Sequence, residues 1–202
     1  MSSDQVAAKS SWKKILGFVF LAFVALIGVL CVVVATRPED FKVARSATFN
    51  ASPAAVFEQV NDLHKWDAWS PWVKLDPNAK STFEGPTSGK DAKMSWDGNA
   101  DIGAGSMTIV ESKPNELVRL KLDFIRPFEG TSDVEMKVEP VGDQTKLTWS
   151  MAGKNNFIAK AIGLVMDCEK MCGDQFEQGL SNLKKVVESP APAADAAKPS
   201  DT

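Results

Sequence analysis

The chain has 202 residues, of which 44% are hydrophobic and 24% charged, a composition typical of globular proteins rather than disordered or collagenous ones. The apolar residues are unevenly spread, because residues 15–35 carry no charge and residues 189–202 are almost entirely Ala, Pro, Ser and Asp. Between these ends lie about 150 residues, which suffice for one domain and exclude two full-sized ones.

The charge balance and the rare residue types exclude several function classes. Residues 41–188 carry 18 Lys and Arg against 21 Asp and Glu, whereas nucleic-acid-binding domains usually show a basic excess. A single His and the absence of Tyr leave few groups for acid–base catalysis. Three Cys without CxxC spacing do not make an ordinary zinc site. We therefore predict no nucleic-acid partner, no metal and no cofactor, and the composition weighs against an enzyme.

An apolar run, Ile15–Ala35, predicts a transmembrane helix. As a helix its 21 residues span about 31 Å, which matches the roughly 30 Å hydrocarbon core of a bilayer. Trp12 precedes the run where an interfacial aromatic residue belongs. The alternative is a cleaved signal peptide, but the apolar core of such a peptide is shorter, about 7–15 residues. We favour an uncleaved single-pass anchor.

The orientation of this anchor follows from the basic residues around it. The numbers of basic residues before and after the apolar run are nearly equal, but a short N-terminal arm with Lys directly at the boundary favours a cytoplasmic N-terminus. We expect residues 1–14 to be a cytoplasmic arm and the protein to lie in the inner membrane with a periplasmic soluble domain. The basic residues are Lys9, Lys13 and Lys14 before the run and Arg37, Lys42 and Arg45 after it.

The soluble part begins with a predicted strand over residues 41–50 and a short helix. Ser52 is an N-cap residue and Pro53 suits the first helical position. Apolar residues then recur at helical spacing, and a Trp-rich stretch broken by prolines follows, which predicts a short helical turn and then a loop. The helical apolar residues are Val56, Phe57, Val60 and Leu63.

Five segments then alternate between apolar and polar residues, the period of strands. Asp97-Gly98 after the first of them predicts a hairpin. One apolar and one polar face per strand describe an antiparallel sheet with one buried side. Acidic residues such as Asp123, Glu135 and Glu139 fall on the outer face. The segments are Ala92–Trp96, Ser106–Ser112, Leu117–Phe124, Ser132–Glu139 and Lys146–Met151.

From Asn156 onward the period becomes helical and predicts one long C-terminal helix with an apolar stripe. A curved antiparallel sheet wrapped around this helix would bury both apolar surfaces, which gives an α+β fold for residues 41–188. Residues 189–202 cannot bury apolar surface and are expected to be disordered. The stripe comprises Val165, Cys168, Cys172, Phe176, Leu180, Leu183 and Val187.

At this point the sequence resembles the START/Bet v1-like (SRPBCC) superfamily, and within it the polyketide cyclase/dehydrase and lipid transport proteins with an N-terminal anchor. The matching residues extend from about Phe41 to Val187. They are Asn61-Asp62, Trp66, Trp69-Ser70-Pro71-Trp72, Glu84-Gly85-Pro86, Gly103 to Ile109, Pro127-Phe128-Glu129-Gly130, Gly153 to Phe157, Phe176-Glu177, Gly179-Leu180 and Asn182-Leu183.

The resemblance implies a helix-grip fold in which about seven strands wrap around the long helix and enclose a hydrophobic cavity. It does not imply catalysis. On this basis we expect a cavity for a hydrophobic small molecule or lipid, lined by residues of the inner face, the helix and the Trp cluster. The predicted lining comprises Trp66, Trp69, Trp72, Met107, Ile109, Leu120, Leu122, Met136, Val138, Trp149, Met151, Phe176 and Leu180.

The Trp cluster, His64 and two of the cysteines each have a functional and a structural interpretation. The Trp cluster could line a cavity, and it could also cap the core with its indole N–H groups bonded to backbone or water; the two roles are compatible. His64, with Asp62 and Asp67 near in sequence, could act as a base oriented by a carboxylate, but a lone His is more often structural. Cys168 and Cys172 lie four residues apart on the apolar stripe, which favours small core residues over a redox pair.

Three function classes therefore stay open. The first is a membrane-tethered, non-catalytic binding domain for a hydrophobic ligand. The second is an enzyme of cyclase or hydrolase type, which would need a polar group on the inner face of the sheet. The third is a protein-interaction domain with a fully packed interior.

Overall fold

The computed structural model describes residues 3–189, so the predicted tail lies almost entirely outside the described residues. These residues form two compact units, one of residues 3–39 and 155–166 and the other of residues 40–154 and 167–189.

The first unit contains two helices, α1 (Ser3–Ala35) and α3 (Phe157–Ile162). The Ile15–Ala35 part of α1 is long and apolar enough to cross a membrane, and nearly all of its side chains are exposed. α3 begins at Asn156, whose side chain accepts a hydrogen bond from the N–H of Ala159. This unit thus joins a long apolar helix to a short second helix.

The second unit is a seven-stranded antiparallel sheet with helices on its inner face, the predicted helix-grip α+β architecture. The order across the sheet is β1-β7-β6-β5-β4-β3-β2, so the two edge strands, β1 and β2, are the first two strands along the chain. Register shifts in β4 beside β5 interrupt the regular pairing, as bulges do where a sheet curves. The strands are β1 (Asp40–Phe49), β2 (Lys80–Glu84), β3 (Lys93–Asp97), β4 (Ala104–Lys113), β5 (Leu117–Arg126), β6 (Gly130–Val141) and β7 (Gln144–Lys154).

Two helices cover the inner face. α2 (Pro53–Asn61) starts as predicted, with the Ser52 Oγ accepting a hydrogen bond from the N–H of Ala55 at 3.3 Å. α4 (Cys168–Glu188) packs along β1 and carries Phe176, Leu180 and Leu183 into the core. The Trp-rich stretch between α2 and β2 forms two short 3₁₀ turns, Leu63–Ala68 and Trp72–Lys74.

Three details differ from the sequence predictions. β2 was not predicted, because all five of its residues are exposed and show no apolar alternation. β3 and β4 are joined by a loop of residues 98–103 rather than by a tight Asp-Gly hairpin, and Gly103 closes this loop with φ of +63°. The predicted single C-terminal helix is two helices, so Val165 lies outside α4 and is exposed.

Candidate functional site

The inner face of the sheet is filled at one end, which we call the deep end. There α2, the first 3₁₀ turn and α4 cover the strands, and the side chains are at most 3% exposed. Alternation along each strand places these apolar residues inward, as predicted. The deep-end residues of the sheet are Ile109, Val118, Leu120, Met136, Val138, Leu147 and Trp149.

An aromatic cluster forms the centre of the deep end. The ring of Trp149 stacks on Phe176 with 4.2 Å between centroids and 9° between planes. Trp66, Trp69 and Trp72 approach the same indole edge-on, at 5.5–6.2 Å between centroids. These distances are those of aromatic rings in direct contact, so this part of the interior is packed.

Hydrogen bonds within the cluster fit the core-capping interpretation of the Trp residues. Trp66 Nε1 donates to the carbonyl of Val60 at 3.2 Å, and Trp69 Nε1 donates to that of Gln59 at 3.3 Å. Within residues 3–189, the buried Trp149 Nε1 has no hydrogen-bond acceptor.

Two residues of α4 that lie off the predicted apolar stripe hold this cluster in place. A Cβ on Gly179 would lie 2.8 Å from Cζ3 of Trp149, so the glycine allows the indole to approach the helix. The buried Asn182 donates from Nδ2 to the carbonyl of Trp69 at 3.1 Å, which ties α4 to the 3₁₀ turn. A hydrophobicity pattern cannot identify either contact, since one residue is small and the other polar.

At the other end of the inner face, which we call the open end, the apolar side chains are partly exposed. Trp96 crosses Phe124 edge-on at 6.1 Å, and a Cβ on Gly105 would lie 2.6 Å from the Trp96 ring. Met107 on β4 pairs in register with Leu122 on β5. The open end thus presents partly exposed apolar side chains from four strands. Its residues are Trp96, Met107, Leu122, Phe124 and Met151.

Polar groups are few on the inner face and include no carboxylate among the described strand residues. Asp123, Glu135 and Glu139 face outward, where Glu135 pairs with Arg119. Arg45 on β1 faces inward, lies over Gly173 of α4 and bonds Glu177 Oε1 at 2.7 Å. Sequence analysis missed Arg45, although its place in the alternation of β1 would have shown it to face inward.

The two cysteines of α4 have different environments. Cys172 packs against the core, and burial raises its thiol pKa to about 11. Cys168 is exposed at the first residue of the helix, so the prediction that it is a core residue is wrong. The helix begins only at Cys168, which leaves no preceding turn to cover this thiol.

His64 lies at the β2 edge of the inner face, where its side chain is 45% exposed. Its Nδ1 is 3.1 Å from Asp62 Oδ1, and its ring stacks on Phe83 of β2 at 4.0 Å. The same Asp62 oxygen caps the backbone N–H of His64 at the start of the 3₁₀ turn. The predicted His–Asp pair therefore exists, but its arrangement is that of a helix cap. Within residues 3–189 no cluster of His, Cys, Asp and Glu could hold a metal ion.

The structure divides the thirteen predicted lining residues into two groups. Four are partly exposed, namely Trp72, Met107, Leu122 and Met151, and their role as lining stays a prediction. The other nine belong to the packed core, and for them too contact with a ligand stays a prediction. These nine are Trp66, Trp69, Ile109, Leu120, Met136, Val138, Trp149, Phe176 and Leu180.

Comparison with known proteins gives one family and several structures. The family model described as polyketide cyclase / dehydrase and lipid transport matches residues 40–188. No curated protein matches the chain. Among solved structures, protein CV1439 from Chromobacterium violaceum is 16% identical with a TM-score of 0.55, over 74% of this chain and 98% of that one. Protein MLL2253 from Mesorhizobium loti is 13% identical with a TM-score of 0.56, over 75% and 100%. At these identities the likeness shows the fold alone.

Proposed function

Because the chain belongs to the polyketide cyclase/dehydrase and lipid transport family, we propose that it is a membrane-tethered, non-catalytic binding domain for a hydrophobic small molecule or lipid. Residues 41–188 form the binding domain, residues 15–35 the anchor and residues 1–14 a cytoplasmic arm. The family description supports the hydrophobic character of the ligand.

The observation that carries this proposal is the apolar open end of the inner face. Its side chains come from β3, β4, β5 and β7. They stay partly exposed, although other inward side chains a few residues away on the same strands are buried. An apolar surface of this kind gains free energy when a ligand covers it, at about 25 cal/mol per Å². The ligand therefore lies on the packed aromatic layer rather than within it.

The chemistry of the inner face supports a non-catalytic role. General acid–base catalysis needs a titratable group within hydrogen-bond reach of the substrate. The inward polar side chains of the strands include Arg45, held by Glu177, and the buried hydroxyls of Ser132 and Thr145. His64, which is 45% exposed, stacks on Phe83 of the edge strand β2. The alternative of a cyclase or hydrolase would have to use one of these groups.

Photolabelling of the full-length chain in lipid nanodiscs tests the binding site. A free fatty-acyl probe with a diazirine group should label tryptic peptides from residues 104–126 and 144–154, and excess unlabelled acyl chain should compete. Leu122→Glu places a charge on the open end and should abolish this labelling. Lys121→Glu, on the outer face of the same strand, should leave it unchanged. Circular dichroism verifies that both variants fold.

The outcomes separate the three function classes. Normal labelling in His64→Ala supports binding without proton transfer, whereas labelling lost in this variant alone would point to an active site. Absence of any competed label on residues 104–126 and 144–154 would contradict the proposal. It would favour the alternative of a protein-interaction domain.

Membrane tethering has its own test. The full-length chain should stay in the membrane fraction after washing with high salt and with carbonate, and Edman sequencing should not find Thr36 at the N-terminus. A chain that begins at Thr36, or that is released by carbonate, would show a cleaved or peripheral segment. Protease protection in intact spheroplasts decides whether the domain is periplasmic.

A further inference from the structure

The segment around α3 is unusually apolar for an exposed one. Residues 155–166 read NNFIAKAIGLVM and contain one charged residue, Lys160. Phe157 and Ile158 at the start of α3 are about half exposed, Met166 is 45% exposed and Val165 is 85% exposed. The structure thus presents four large apolar side chains to the surroundings within ten residues.

The same segment is attached to the end of the apolar helix α1. α3 packs against α1. Val34, one residue before the end of α1, is 2% exposed, whereas most side chains of Ile15–Ala35, which we call the span, are exposed. The N–H of Asn155 donates to the carbonyl of Glu39 at 2.7 Å. These contacts keep α3 close to the residues that follow the span.

The charge of Lys160 is compensated within the unit. Its side chain is 8% exposed and its Nζ lies 3.4 Å from Glu39 Oε1. The exposed side of the segment therefore carries no unpaired charge, so its attraction to a surface would come from apolar contact and not from anionic lipid headgroups.

We propose that residues 157–166 form a second, interfacial membrane contact beside the transmembrane helix, an inference that rests on the proposed anchor. If residues 15–35 fill the hydrocarbon core, Val34 lies just inside its boundary, and α3 lies at the level of the headgroups. Apolar side chains at such a place insert about 5–10 Å into the boundary between headgroups and acyl chains. The occupant of this surface is the bilayer itself.

A phospholipid with a diazirine near the top of its acyl chain tests this in vesicles that contain the full-length wild-type chain. Trypsin cuts after Lys154, Lys160 and Lys170, so adducts on the two halves of the segment are resolved from those on the peptide of residues 15–42, since the Arg37–Pro38 bond resists trypsin. We expect adducts on residues 155–160 and 161–170 as well as on the span. Their yield should not change between zwitterionic and anionic vesicles or between low and high salt.

The paired substitution Ile158→Glu and Val165→Glu should reduce adducts on residues 155–170 several-fold and leave those on the span unchanged. Adducts on the span alone would overturn the interfacial contact and leave the anchor intact, and they would mean that water or protein covers the segment. Absence of adducts on the span would overturn the anchor and this inference together. Adducts that appear only with anionic lipid would overturn the apolar mode of contact.

Discussion

The deep and open ends of the inner face differ although they are built on the same strands. On β5, Leu120 is 2% exposed and Leu122, two residues further on and facing the same way, is partly exposed. The difference comes from what lies above each residue, since α2, the 3₁₀ turn and the middle of α4 cover only the deep end. The alternation of a strand thus defines which face is apolar, and the covering helices decide how much of that face stays available to a ligand.

The largest effect is expected at the centre of the deep end. Phe176→Ala removes the ring that stacks on Trp149 and leaves a cavity that the surrounding rings cannot fill, so the free energy of unfolding should fall by about 3–5 kcal/mol. Urea denaturation of the chain in nanodiscs, followed by Trp fluorescence, measures this. A loss under 1 kcal/mol would mean that the deep end is loosely packed.

Leu120 and Leu122 of β5 compare the deep and open ends directly. Leu120→Ala should cost about 2–5 kcal/mol because the site is enclosed. Leu122→Ala should cost only about 1–2 kcal/mol, because part of this side chain is already in water. Denaturation of both variants under identical conditions gives the difference. Equal losses would show that the open end is covered in solution, against the proposed binding surface.

A smaller effect is expected where α4 approaches the aromatic cluster. In Gly179→Ala the new Cβ would lie 2.8 Å from the Trp149 ring, and overpacking of this kind costs about 1–3 kcal/mol. Gly130→Ala is the matched control, since its Cβ meets no atom within 4 Å. If both variants unfold at the same urea concentration, the indole does not rest on α4.

Alkylation by iodoacetamide distinguishes the two cysteines of α4, Cys168 and Cys172, without a substitution in the chain. At pH 8 the Cys172 thiol, with a pKa of about 11, is ionised to roughly one part in a thousand, so it should react far more slowly than the exposed Cys168. The rate at Cys172 should rise with pH up to about 11. Peptide mass spectrometry follows both sites, and faster labelling of Cys172 would place it outside the core.

The smallest effect is expected at the ion pair between β1 and α4. Glu177→Gln should change the free energy of unfolding by about 0–1 kcal/mol, because the Glu177 side chain is mostly exposed and water screens the pair. Denaturation at low and high salt measures this. A loss above 2 kcal/mol would show that Arg45 depends on this carboxylate for its inward position.

Much of the architecture could be predicted from local patterns. The period of two in β4 to β7 identified the inner face, and the cap at Ser52 identified the start of α2. β2 escaped prediction because it is an exposed edge strand without alternation. The break between α3 and α4 escaped because the apolar residues keep helical spacing through Val165 and Cys168, although the backbone leaves the helix there.

For the candidate site, the sequence by itself determined that the inner face is apolar, that its acidic residues point outward and that one 21-residue run is apolar enough to cross a membrane. Only the tertiary structure decided that Trp149 stacks on Phe176, that Arg45 faces α4 and that the open end stays partly exposed. The physical reason is that alternation depends on neighbours along the chain. Burial depends on segments that are distant along the chain, such as Phe176, 27 residues after Trp149, and Glu177, 132 residues after Arg45, which local sequence patterns do not bring together.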